Sequence, residues 1–396
     1  MNLRDKLRAV GGSGGARTKQ EDGGSAAPGD CRYLAVKRPL SEFPGALAVR
    51  GETLEKMTGT EMPSPFDPKR ILYLDTETTG LRGSGTVAFL VGLGYLTEEG
   101  FEIHQFLMRD YDEETYLLKH VEAGMNRFDM LCTFNGSTFD VPLLEGRLLM
   151  NRFRRDCLDK PHIDLLQLAR RVWKLRLKRC NLGRLETVVL GAPRGEDLPG
   201  SEVPKRYFTY LKTKQESLLD DILTHNAQDI ASLCVLLTHM AEMYEHPEQV
   251  AFSEDLYSMG RSMEKNRRPE EARRYYQLAR MGRMRGEAGL ALGRNLRRAG
   301  ERDQAEALWS EMIAHGAGGV QPYIEMAKLL EHRKRDYKGA LEMTERALLR
   351  LSEERLREDR TVQETKNALQ YRRRRLKKRL ASRPQNDDAG RPEEER

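Results

Sequence analysis

Asp75 and Glu77 stand one residue apart in the stretch ILYLDTETTG (residues 71–80), where four largely apolar residues run into two carboxylates. On a regular strand residues i and i+2 share a face, so both acids point to one spot. Neighbouring ionised carboxylates raise each other's pKa, and a divalent cation with a preference for hard oxygen donors relieves that conflict. Taken alone, the doublet is better explained as a salt-bridged surface pair at a strand end. Two further acids change the balance. Asp140 closes FNGSTFD (134–140), after a short apolar run and a turn-forming Asn-Gly, and opens a helical pattern. Its plainer role would be a partner for the helix dipole. Asp229 ends HNAQD (225–229), with His225 four residues before it on the same helical face. One pair on a strand, one acid at a helix start and one on a late helix suit two metal ions about 3.5–4 Å apart. That arrangement clamps the attacking and leaving oxygens of phosphodiester hydrolysis.

The elements that must position these residues follow from periodicity. RILYLD reads as a buried strand. TVAFLVGLGYL (86–96) and FEIHQFLM (101–108) flank the turn TEEG as a hairpin, and EETYLLKHVEAGM reads as a helix. DMLCTFN is a second buried strand. DVPLLEGRLLMNRF is a helix with Pro142 in its first turn, and HIDLLQLARRVWKL is a strand end running into a helix. Residues 217–244 repeat their apolar positions at three and four, as one long helix does. Strands interleaved with helices predict an α/β domain.

From about 70 to 245 the chain resembles the DEDD group of the ribonuclease H-like superfamily, the fold of many 3′–5′ exonucleases. LDTETTG, FNGSTFD and HNAQD match its three motifs in order. LGRLETVVLG, RGEDLPG and VPKRYFTYL bring it nearest to the predicted exonuclease family of the YprB type. The resemblance implies a mixed sheet flanked by helices and two divalent cations, Mg²⁺ or Mn²⁺, on Asp75, Glu77, Asp140 and Asp229. It further implies that His225 orients or deprotonates the attacking water. His225 departs from the group by combining the residue of its His class with the spacing of its Tyr class. Near Asp75 the resemblance brings the backbone of Thr76, Thr78 and Gly80 toward a terminal nucleotide, although threonines suit the strand and Gly80 the turn. Asn135 and Phe139 are candidates to touch sugar or base, with the turn and the core as their alternative roles. Asp164 either faces the same site or caps the helix after it.

Composition frames this reading. The chain has 396 residues, 39% hydrophobic and 32% charged, with net charge +6. No apolar run reaches the ~20 residues of a membrane span, and MNLRDKLRAVGGSGG holds no apolar core of signal-peptide length. The five cysteines form no CxxC pair, so the expectation is a reduced, cytoplasmic setting without membrane attachment. Between Arg147 and Cys180 eleven Lys or Arg face three Asp or Glu. Arg152, Arg154 and Arg155 in that stretch are expected to meet phosphates. Phe153 and Trp173 are candidates to stack bases or fill the core. YRRRRLKKR (371–379) is a second cationic run.

After residue 250 the pattern changes. Ala272, Ala305 and Ala340 fall 33 and 35 residues apart, preceded by Gly260, Gly293 and Ala327 and followed by Tyr276, Trp309 and Thr344. Small, small, large at this spacing predicts helical hairpins of tetratricopeptide type, with an ordinary helical bundle as the alternative. The expected organisation is a flexible start (1–30), an irregular lead-in (31–69), a ribonuclease H-like domain (70–248), an all-α helical-repeat domain (250–350), and a basic helix with a disordered tail (351–396). The expected function is a divalent-metal-dependent nuclease on DNA or RNA, by resemblance a 3′–5′ exonuclease, with a protein partner accommodated by the repeats. A non-catalytic nucleic-acid scaffold and a repeat-based adaptor are the alternatives. Four filled acidic positions argue against the former, and the latter leaves the acids without a role.

Overall fold

Ile71, Leu72, Tyr73 and Leu74 are all buried inside a seven-stranded sheet. The strands are β1 (Glu21–Asp22), β2 (Arg32–Pro39), β3 (Ile71–Thr78), β4 (Ala88–Leu96), β5 (Gly100–Leu107), β6 (Met130–Thr133) and β7 (His162–Asp164), in spatial order β1-β2-β5-β4-β3-β6-β7. β6 and β7 run parallel to β3, and the remaining neighbours are antiparallel. The computed structural model describes residues 21–22, 30–80, 85–192, 199–353 and 360–382. It divides into two compact units: the chain up to Val250 with Ser262–Arg268, and Ala251–Arg261 with everything from Pro269.

In the first unit the helices are α1 (Gly51–Thr58), α2 (Glu114–Met125), α3 (Asp140–Met150), α4 (Leu165–Leu177), α5 (Leu182–Leu185), α6 (Val203–Thr213) and α7 (Ser217–Glu245). The 29 residues of α7 contain neither Gly nor Pro, and the helix ends just before Pro247, whose ring disfavours helical backbone at His246. α7 packs across β3, β4 and β5. It lies close because β4 presents glycines beneath it. A Cβ on Gly92 would stand 2.2 Å from Ile230 Cδ1, and one on Gly94 2.3 Å from Ile230 Cγ2.

Two parts of the lead-in differ from expectation. Residues 31–69 are not merely irregular, because β2 pairs with β5 over its full eight residues, from Arg32 with Leu107 to Pro39 with Gly100. Within the stretch expected to be flexible, Glu21 and Asp22 pair with Ala35 and Leu34. For β2 the cause is pairing with a strand far along the chain, and β1 in turn pairs with β2; local composition reveals neither. The remainder of 1–29, the segment 194–198 of RGEDLPG and the tail from 383 lie outside the described residues.

The second unit is helical: α8 (Ser253–Lys265, shared with the first unit), α9 (Pro269–Ala279), α10 (Arg285–Arg298), α11 (Arg302–Ala314), α12 (Gln321–Leu329), α13 (Tyr337–Glu353) and α14 (Arg360–Ala381). Ala272, Ala305 and Ala340 are fully buried. A Cβ on Gly260 would come within 2.6 Å of the Tyr276 ring, and one on Gly293 within 2.3 Å of Trp309 Nε1. The small residues therefore stand where paired helices approach most closely. Ion pairs join successive hairpins: Arg273 with Glu301 at 2.7 Å, Arg280 with Glu311 at 2.8 Å, and Arg297 with Glu325 at 2.7 Å. Arg372 and Arg375 of the cationic run reach back to the buried Glu331 at 2.9 and 2.5 Å, so part of that run is structural.

Candidate active site

β3 is buried through Leu74 and then emerges, so Asp75, Thr76 and Glu77 are half-buried at its carboxyl end. A bulge between Glu77 and Thr78 in the pairing with β4 ends the regular ladder there. Asp140 is the first residue of α3 and is buried. Thr76 Oγ1 donates to its carboxylate at 2.6 Å, and the backbone N–H groups of Thr76 and Asp140 add two more donors. Asp229 lies on α7, half-buried, with His225 one turn before it, also half-buried.

Electrostatics tie these residues together. Burial first, then the charges of Asp229, Glu77 and Asp140, push the Asp75 carboxyl well above the usual range. Glu77 is pushed up to about 8 by burial and by the charges of Asp229 and Asp140. Burial also raises Asp140, against which its three donors act, with Asp164 adding repulsion. Asp75 and Glu77 on the strand thus feel the charges of Asp140 at the helix start and Asp229 on the late helix. Their donor chemistry, carboxylate oxygens alone beside a histidine, fits hard divalent cations. Among the described residues, no three of these four acids bring ligand atoms mutually within 4.8 Å of one another.

The trio of metal-type ligand atoms that lie mutually within 4.8 Å, among the described residues, is Asp30, Cys31 and His120. Its members are already engaged. His120 Nε2 stands 3.1 Å from Asp30 Oδ1, and the Cys31 N–H donates to the same oxygen at 2.9 Å. The Arg109 guanidinium donates to the Asp30 carbonyl at 2.7 Å, so a cation already sits beside the group.

The neighbouring candidates have defined places. Asn135 takes a left-handed backbone conformation, φ 69°, and its N–H donates to Asp164 Oδ1 at 2.9 Å. Asp164 also accepts from the N–H and hydroxyl of Ser137 and from the Leu166 N–H at 3.1 Å. It therefore caps α4 and at the same time anchors the loop that delivers Asp140. Phe139 is exposed. Arg152, Arg154 and Arg155 are exposed beyond the end of α3, Arg154 paired with Asp156 and Arg155 with Glu145. Trp173 is buried core, and Phe153 packs against the core of the first unit.

Two residues escaped sequence reasoning. Asn226 Nδ2 donates to Asp75 Oδ2 at 2.9 Å, and Gln105 Nε2 donates to Asn226 Oδ1 at 2.9 Å. Both side chains are buried. The signal was present in FEIHQFLM: Phe101, Ile103 and Gln105 share one strand face, and a lone amide on an apolar face needs a buried partner.

Residues 72–241 match the RNase_H superfamily description, RNase_H_2. The uncharacterized protein YprB of Bacillus subtilis (strain 168) is 30% identical over 293 residues, which cover 72% of this chain and 70% of YprB. Among solved structures, the family B DNA polymerase from the hyperthermophilic archaeon Pyrobaculum calidifontis is similar over 55% of this chain and 30% of the polymerase, with 13% identity and a TM-score of 0.36. With 30% identity to YprB over most of both chains, and with the superfamily match over its sheet and flanking helices, the chain belongs to the YprB family within the ribonuclease H superfamily.

Proposed function

We propose that this protein is a divalent-metal-dependent nuclease that hydrolyses phosphodiester bonds of DNA or RNA, acting as a 3′–5′ exonuclease. One observation carries the reading: besides burial, the charges of Asp229 and Asp140 bear on both Asp75 and Glu77, although these acids come from three distant parts of the chain. A fold does not gather like charges without a compensating partner, and cations supply it. Asp75, Glu77, Asp140 and Asp229 would hold two ions, Mg²⁺ or Mn²⁺. When bound, such ions activate water and stabilise charge on the attacking and leaving oxygens.

The chain's own groups do the rest. Thr76 holds Asp140 in place through its hydroxyl. His225, one turn before Asp229, orients the attacking water and takes its proton. Arg152, Arg154 and Arg155 neutralise phosphates of the incoming strand, Arg154 and Arg155 exchanging carboxylate partners for phosphate. Asn135 and Phe139 border the same end of the sheet and meet the terminal nucleotide. The helical unit, read as a degenerate tetratricopeptide array, offers a surface to a protein partner.

The test is cleavage of end-labelled single- and double-stranded DNA and RNA with Mn²⁺, comparing the parent chain with Asp140→Asn. Mononucleotide release that EDTA stops and that falls by at least about 10²-fold in the variant supports the proposal. Salt-sensitive binding with no hydrolysis of any of these substrates, with either metal, would instead identify a non-catalytic scaffold.

A further inference from the structure

Asp75, Gly92 and Gln105 occupy one row across three adjacent strands, for Asp75 pairs with Gly92 and Gly92 with Gln105. The middle position has no side chain. Asn226 of α7 occupies that space: a Cβ on Gly92 would stand 2.3 Å from its Oδ1. From there its amide spans the gap, donating to Asp75 Oδ2 at 2.9 Å and accepting from Gln105 Nε2 at 2.9 Å. The amide's orientation is determined. Gln105 Nε2 donates both to Asn226 Oδ1 and, at 2.8 Å, to the Leu223 carbonyl, so the Asn226 oxygen faces Gln105 and its NH₂ faces Asp75. Both Gln105 links are buried, and the Asn226 side chain is buried beside half-buried Asp75, so a misplaced dipole there is costly.

We propose that Asn226 and Gln105 are positioning residues: over the Gly92 gap they hold the Asp75 carboxylate in the orientation that receives a divalent cation. This rests on the metal-site reading above. A neutral donor suits the task. Asn226 occupies one oxygen of Asp75 without bringing a positive charge to compete with the ion, and leaves the other oxygen available. Gln105 acts through Asn226, because without its donors the amide is free to turn and present its oxygen to Asp75.

The experiment measures Mn²⁺ binding to the full chain by electron paramagnetic resonance, without substrate, for the parent, Asn226→Ala and Gln105→Met. Circular dichroism and thermal midpoints in EDTA report the fold. The expected result is a Kd raised about tenfold or more in both variants. At saturating Mn²⁺, kcat should fall while KM for the nucleic acid stays near the parent value, a split that general loosening of the fold would not produce. Mn²⁺ binding within twofold of the parent in both folded variants overturns the positioning role and leaves the metal site standing. Failure of the parent itself to bind Mn²⁺ overturns both. Should Asn226→Ala not fold, Gln105→Met, nearly isosteric, decides the matter alone.

Discussion

At the scale of single residues, burial first and like-charge repulsion second oppose ionisation of Asp75 and Glu77, and a cation would relieve both. Folded Glu77 keeps its proton until about 8, against 4.5 for an ordinary glutamate. The folded state then binds more protons than the unfolded chain across that window, so this group's stabilising contribution is full below about 4.5 and is lost as pH rises toward 8. In EDTA, thermal midpoints should fall over that range. Asp75→Asn removes one of the repelling charges, while the side-chain oxygen it retains can still accept from Asn226. In EDTA at pH 8 it should melt a few degrees above the parent, each kcal/mol being worth about 2–4 °C in a unit of this size. Added Mn²⁺ should raise the parent's midpoint and leave the variant's nearly unmoved. A variant that melts at or below the parent in EDTA would remove the case that ionising Asp75 in this buried, acidic setting costs stability.

Among the elements, the approach of α7 to β4 decides whether Asp229 and Asn226 reach Asp75. Gly92→Ala places a methyl 2.2 Å from Ile230 Cδ1 and 2.3 Å from Asn226 Oδ1, so helix and sheet must separate. Denaturant titration should show a loss of roughly 1–3 kcal/mol, accompanied by weaker Mn²⁺ binding. Gly146→Ala, on α3 with nothing within 4 Å of the new methyl, is the control. It should gain about 0.5–1 kcal/mol, because alanine suits a helix interior better than glycine. The same reasoning explains which elements were readable in advance. The hairpin of β4 and β5, the strand β6 and the helix α7 each carry their pattern within a few residues. β2 does not declare itself, because its place in the sheet depends on pairing with β5, more than sixty residues along the chain.

For the molecule as a whole, charge matters through its distribution more than through the net +6. Not every cation in the 371–379 run is available to a phosphate backbone. Arg372 and Arg375 serve the buried Glu331, whereas Arg374 and Lys378 are exposed. Arg374→Gln with Lys378→Gln should reduce the slope of log affinity for nucleic acid against log salt by up to about 2, with unchanged stability. Arg372→Ala should instead destabilise the helical unit, by roughly 1–3 kcal/mol, since it strips a buried carboxylate of one partner. Melting curves and binding isotherms between 50 and 200 mM salt distinguish the two. Equal slopes for parent and double variant would show that this run does not contact the nucleic acid.

The amino-acid sequence by itself determined the local facts: a strand ending in Asp75 and Glu77, acids at a helix start and on a late helix, and small residues spaced for close helix pairs. Such facts depend on periods of two and of about 3.6 residues, which one chain displays without help. Only the tertiary structure decided that Gly92 leaves a gap, that Asn226 fills it, and that Gln105 two strands away directs it toward Asp75. It likewise decided that Asp164 anchors the loop of Asp140 and that Arg372 and Arg375 belong to Glu331. Those choices arise from strand register and helix docking, which are set by packing over the whole fold and leave no short-range trace in the order of residues.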